Sequence, residues 1–153
     1  MELYKKGLKL VLYVPKTSTK PQHSSKSFQL RGKVFSGSGE GAKFIQLPWV
    51  RTQIAEKLGF IPYPGTLNIK TTEGSRELKK LLKKEKTIEI SPIEGFCRGR
   101  CFKAILMNNL KCAIIVPEIP NYTENTIEVI ARVNLREKFK LKDGDVIEVK
   151  IVI

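Results

Sequence analysis

Between Phe35 and Lys43 the chain reads Ser36-Gly37-Ser38-Gly39-Glu40-Gly41-Ala42. Glycine at alternate positions lets several backbone N–H groups converge on one anion, because no Cβ blocks the approach and positive φ costs little. A phosphate is the natural guest, and Lys43 could add charge to it. The run lacks the Gly-Lys-Ser/Thr ending of a Walker A loop and the βαβ setting of a dinucleotide fingerprint. Taken alone, such a loop is more often an ordinary hairpin turn than a phosphate cradle. A second segment, Pro62-Tyr63-Pro64-Gly65-Thr66-Leu67-Asn68-Ile69, is stiffened by two prolines. If it is extended, Thr66 and Asn68 lie on one side and offer two neutral oxygens to Mg²⁺, which commonly completes its six ligands with water and substrate phosphates. The plainer alternative is that both residues cap a turn. A third segment holds Glu128 inside the apolar run Thr126 to Ile130, where a carboxylate needs a partner or a purpose. It could act as a general base, accept hydrogen bonds from a ligand, or belong to the solvated face of a strand. Arg136 could meet a phosphate or form a surface ion pair.

The elements that must position these residues are mostly strands. Alternation marks residues 28–35, and short apolar runs mark 87–90, 101–107, 111–116, 126–130 and 146–153. Asp143-Gly144-Asp145 supplies a tight turn into the last of these, in which Ile147, Val149, Ile151 and Ile153 share a face. Phe44 to Leu47 reads as resumed extended structure. Pro48 suits a first helical turn, Val50, Ile54 and Leu58 recur four apart, and Gly59 supplies a stop, so residues 48–58 are predicted helical. Residues 77–86 form a weaker helical candidate. Many short strands with one or two short helices predict a mainly β protein, a small barrel or sandwich rather than a doubly wound sheet.

Composition sets the frame. The 153 residues fit one domain, and 41% hydrophobic with 28% charged residues is ordinary for a globular chain. No apolar run reaches membrane-span length and no secretory signal pattern follows Lys5 and Lys6, so a cytoplasmic, membrane-free protein is expected. Cys97, Cys101 and Cys112 read as reduced thiols, since His23 is the only histidine and a zinc site would need more ligands. The net charge of +13 favours polyanionic partners. About half of that excess lies in residues 1–33, with eight Lys or Arg against Glu2, and a second basic cluster runs from Lys79 to Lys86. Residues 1–27 therefore read as a basic extension, partly loop, and residues 28–153 as the single folded domain. A nucleic-acid-binding barrel is the rival reading. It is disfavoured because aromatics are 8% of the chain and no platform of aromatics interleaved with basic residues stands out.

In order and spacing, Gly37 to Gly41, Leu58-Gly59-Phe60 through Ile69, and Asn134-Leu135-Arg136-Glu137 followed by Leu141 to Asp145 resemble the CTP-dependent riboflavin kinases of archaeal type. The resemblance runs from about Leu30 to the C-terminus. It implies a closed six-stranded barrel of the cradle-loop kind and transfer of the γ-phosphate of CTP to the 5′-hydroxyl of riboflavin, giving FMN and CDP. By the same resemblance, Gly37, Ser38, Gly39, Glu40, Gly41 and Ala42 would hold the phosphates. Val133, Asn134, Leu135 and Arg136 would complete the nucleotide site, Thr66 and Asn68 would bind Mg²⁺, and Glu128 would contact the flavin. The family carries a Thr before a Tyr in the loop ahead of the glutamate. Here Asn121 precedes Tyr122 and the loop is a residue shorter, so the second flavin contact is placed at Asn121, with Thr123 as the alternative. A monomer is expected.

Overall fold

The structure, a computed structural model, describes residues 27–84, 87–93, 95, 98–107, 109–117 and 125–152. Asn121, Thr123 and Cys97 lie outside the described residues, as do residues 1–26 of the expected basic extension. In chain order the elements are β1 (Ser27–Phe35), α1 (Glu40–Gln46), α2 (Pro48–Leu58), β2 (Leu67–Glu73), α3 (Ser75–Lys83), β3 (Ile88–Ile90), β4 (Gly99–Leu106), β5 (Leu110–Pro117), β6 (Thr126–Ile130), α4 (Leu135–Phe139) and β7 (Val146–Val152). The strands pair antiparallel in the order β3-β4-β5-β6-β2-β1-β7, and β7 pairs back onto β4. Six strands thus close into a barrel, and β3 adds to β4 beyond the stretch that meets β7.

Alternation along the strands separates two apolar clusters. Leu30, Val34, Leu67, Ile69, Phe102, Leu106, Ile114, Ile127, Val129, Ile147, Val149 and Ile151 fill the barrel. Residues of opposite parity, among them Ala113, Ile115 and Ile130, point outward and are buried in a second cluster with Phe44 and Ile45 of α1 and Val50 and Ile54 of α2. The two helices therefore cover one side of the barrel wall. The α2 helix runs as predicted, with Pro48 in its first turn and Gly59 at φ 84° closing it.

Two elements depart from expectation. Phe44 to Gln46 is helical, not extended, because Phe44 and Ile45 both bury against the outer wall. Residues 135–139 form a helix of little more than one turn, so the one or two helices expected become four among the described residues. Asn134 starts α4 by accepting a hydrogen bond from the Glu137 N–H at 3.2 Å, as an N-cap does.

Candidate functional site

The site grows from the middle of the β1-β2-β6 ribbon. Asn68 on β2 lies opposite Phe35 on one side and Glu128 on the other, and Glu128 lies opposite Ile115 of β5. Asn68 and Glu128 share the outward parity of Ile130, so both side chains stand on the wall that α1 and α2 overlie. That is why Glu128 is buried, at 4% exposure, although it does not point into the barrel. A carboxylate removed from water needs donors. The Thr66 hydroxyl is one, donating to Glu128 Oε1 at 2.6 Å.

The glycine turn passes directly over these groups. A Cβ placed on Gly41 would stand 1.8 Å from Glu128 Oε1, and one on Gly37 would stand 2.7 Å from Asn68 Oδ1. Gly39 has φ 89° and precedes the first residue of α1. The three glycines thus answer separate requirements: clearance over Asn68, a left-handed bend, and clearance over Glu128. Gly37, Gly41, Thr66, Asn68 and Glu128, which come from three distant stretches of sequence, form one cluster. Lys43, two residues past Gly41 on α1, lies 3.9 Å from Glu40 in an exposed i,i+3 pair.

The second expected half of the site lines a cleft of about 140 Å³. Its walls include Thr66, Leu67, Val129, Val133, Asn134, Leu135 and Arg136, together with Tyr63 and Gly65. The cleft and the glycine turn are joined at Arg136, whose Nη2 donates to the Phe35 carbonyl at 3.1 Å and to Asp143 Oδ1 at 2.7 Å. Arg136 beside Asp143, followed by the Ser36 hydroxyl, holds that carboxyl below its usual range. Tyr63 was not singled out in the sequence. Its hydroxyl accepts from Asn134 Nδ2 at 3.1 Å, and its N–H donates to the Ala131 carbonyl at 2.7 Å. The two prolines flanking it signalled a fixed backbone but no role for the ring. Asp143 read only as part of a turn.

Among the described residues no group of three His, Cys, Asp or Glu side chains is placed to hold a metal ion. The oxygens that do gather are Thr66 Oγ1, Asn68 Oδ1 and the Glu128 carboxylate. Thr66 spends its proton on Glu128, so its oxygen lone pairs remain for another partner. A hard-oxygen set of this kind suits Mg²⁺ and not a softer metal.

A closed antiparallel barrel thus brings together a glycine turn, a set of hard oxygens and a basic residue at the joint, chemistry that a phosphorylated guest would match. The family model for CTP-dependent riboflavin kinases, described as "Domain of unknown function DUF120", matches residues 34–151. The chain belongs to that family. Among its relatives, the riboflavin kinase of Methanosarcina barkeri is 38% identical over 127 residues, covering 80% of this chain and 56% of the relative. That of Pyrobaculum aerophilum is 41% identical over 134 residues, 83% of this chain and 62% of the relative. That of Ignicoccus hospitalis is 34% identical over 157 residues, 99% of this chain and 81% of the relative. The chain therefore spans a little over half the length of its Methanosarcina relatives.

Proposed function

We propose that this protein phosphorylates riboflavin, moving the γ-phosphate of CTP to the 5′-hydroxyl and releasing FMN and CDP. The observation that carries the reading is the convergence of Gly37, Gly41, Thr66, Asn68 and Glu128 inside the region matched by the family model. Relatives named riboflavin kinase over most of this chain supply the substrate, and the family's name supplies the donor. In this reading the backbone of Gly37 to Ala42 holds phosphate oxygens, and Val133 to Arg136 hold the rest of the nucleotide in the cleft beside them. Thr66 and Asn68 would hold Mg²⁺, which would supply positive charge against the phosphates. Two neutral protein ligands hold such an ion weakly by themselves, so metal and nucleotide are expected to bind together.

Glu128 would accept hydrogen bonds from the flavin, with Asn121 as the second flavin contact. A general-base role for Glu128 toward the 5′-hydroxyl is the alternative use of the same carboxylate. Catalysis would then rest on positioning and on donors fixed around the transferring group, since phosphoryl transfer asks little covalent chemistry of the protein. The test is FMN formation from riboflavin and Mg²⁺ with each of the four nucleoside triphosphates. CTP is expected to be the best donor, and absence of FMN with every donor would sink the assignment.

A further inference from the structure

Two separate pieces of chain, the glycine turn and the Val133–Arg136 segment, must hold a fixed relation to share one nucleotide, and both meet at a side chain outside the proposed site. Asp143, in the turn before β7, accepts from Arg136 Nη2 at 2.7 Å through Oδ1. The Ser36 hydroxyl, at the mouth of the glycine turn, lies 3.2 Å from Oδ1 and 3.0 Å from Oδ2 of the same carboxylate. Arg136 Nη2 also donates to the Phe35 carbonyl. One carboxylate thus ties the exit of β1 to the first turn of α4.

This tie is not what forms the turn. The Gly144 N–H donates to the Val34 carbonyl at 2.8 Å, the Val34 N–H donates to the Asp145 carbonyl at 2.9 Å, and Asp145 Oδ2 accepts from the Lys142 N–H at 2.8 Å. Residues 142–145 are therefore held to β1 through backbone and through Asp145, which leaves the Asp143 side chain free for another task. Fold stability is a poor candidate for that task. The Arg136 and Asp143 side chains are 35% and 57% exposed, and ion pairs that open to water add little. What two acceptors on one guanidinium do accomplish is to remove the rotamer freedom that an unheld arginine would lose on meeting its ligand. Both bonds come from Nη2, so the donors on Nε and Nη1 remain for a ligand.

We propose that Asp143 is a positioning residue for the phosphorylated ligand, presetting Ser36 and Arg136 so that the glycine turn and the Val133–Arg136 segment act on one bound molecule. The identity of that molecule as a nucleotide rests on the proposed function; the positioning itself does not.

Two measurements separate these claims. In the ligand-free protein, amide NMR signals of residues 36–42 and the Arg136 Nε signal are expected to shift in Asp143→Ala and to shift less in Asp143→Asn, which keeps an Oδ1 acceptor. Ser36→Ala should move the amide signals but spare Arg136. By calorimetry with CDP and Mg²⁺, Asp143→Ala should weaken binding about tenfold, with Tm and the KM for riboflavin close to wild type. In an Arg136→Ala background the same change should add less than about twofold, since coupled residues are not additive. Unchanged signals in Asp143→Ala, or a full tenfold effect persisting without Arg136, would overturn the proposal. A wild-type protein that binds no CDP counts against the kinase reading, and the NMR signals then decide the role of Asp143 alone.

Discussion

Gly41 and Glu128 are matched to each other at the scale of single atoms. The backbone of α1 rests on a buried carboxylate, and the space a methyl group would need is already taken by Glu128 Oε1. Gly41→Ala must therefore displace either the helix or the carboxylate. Overpacking of this kind costs about 1–3 kcal/mol, and denaturant unfolding should register that loss. Riboflavin phosphorylation should fall further than stability does, because the displaced group is a proposed substrate contact. Glu128→Gln keeps the shape and an acceptor for Thr66 but loses the charge. If Glu128 only contacts the flavin, KM for riboflavin rises and kcat holds. A kcat lower by about 100-fold or more would instead assign it the general-base role. Steady-state kinetics with riboflavin as the varied substrate separates the two. These close approaches were not legible in the sequence. Alternating glycines advertise backbone freedom, but which side chains need the clearance depends on the pairing of β2 with β6, which no local pattern reveals.

Among the elements, legibility followed periodicity. Strands β4 to β7 show as alternating or apolar runs, and α2 shows through Val50 and Ile54, both fully buried. Phe44 to Leu47 reads as extended because Phe44, Ile45 and Leu47 crowd together and trace no 3.6-residue stripe, yet Phe44 to Gln46 belongs to α1. Its helical form is decided by the outer wall of the barrel, a tertiary term that local propensity does not contain. The α4 helix did leave a signal: Asn134 followed three residues later by Glu137 is the pattern of a helix start. Asn134 caps α4 and also holds the Tyr63 hydroxyl, so it fixes both sides of the cleft. Asn134→Ala should cost about 1 kcal/mol through the lost cap. It should also raise KM for the nucleotide more than KM for riboflavin, whereas Asn134→Ser, which keeps a capping oxygen on a side chain too short for Tyr63, should recover most of the stability but not the bond to Tyr63. Thermal melts and paired KM measurements check both statements.

For the molecule as a whole, the barrel interior and the helix-covered wall each hold one cysteine among the described residues. Burial pushes Cys112, inside the barrel, and Cys101, under the helices, up from 9.0 to about 12. The folded protein then keeps these protons at a pH where the unfolded chain releases them. Their contribution to stability is fully present below about pH 9 and is lost as the pH rises toward about 12. Replacing both by alanine should flatten the fall in stability above about pH 9, measured by guanidinium unfolding against wild type at each pH. The charge of +13, about half of it carried by residues 1–33, is the part of the sequence that the site does not absorb. A phosphotransferase role for the cluster under the glycine turn goes beyond binding there. It is tested most directly by following an isotopically labelled γ-phosphate from CTP in wild type and in Asn68→Ala. Label is expected to appear in FMN with wild type, and to do so about 100-fold or more slowly in the variant, with the melting transition of the variant intact. Binding of both CDP and riboflavin with no label reaching the flavin, or undiminished transfer by Asn68→Ala, would contradict the account.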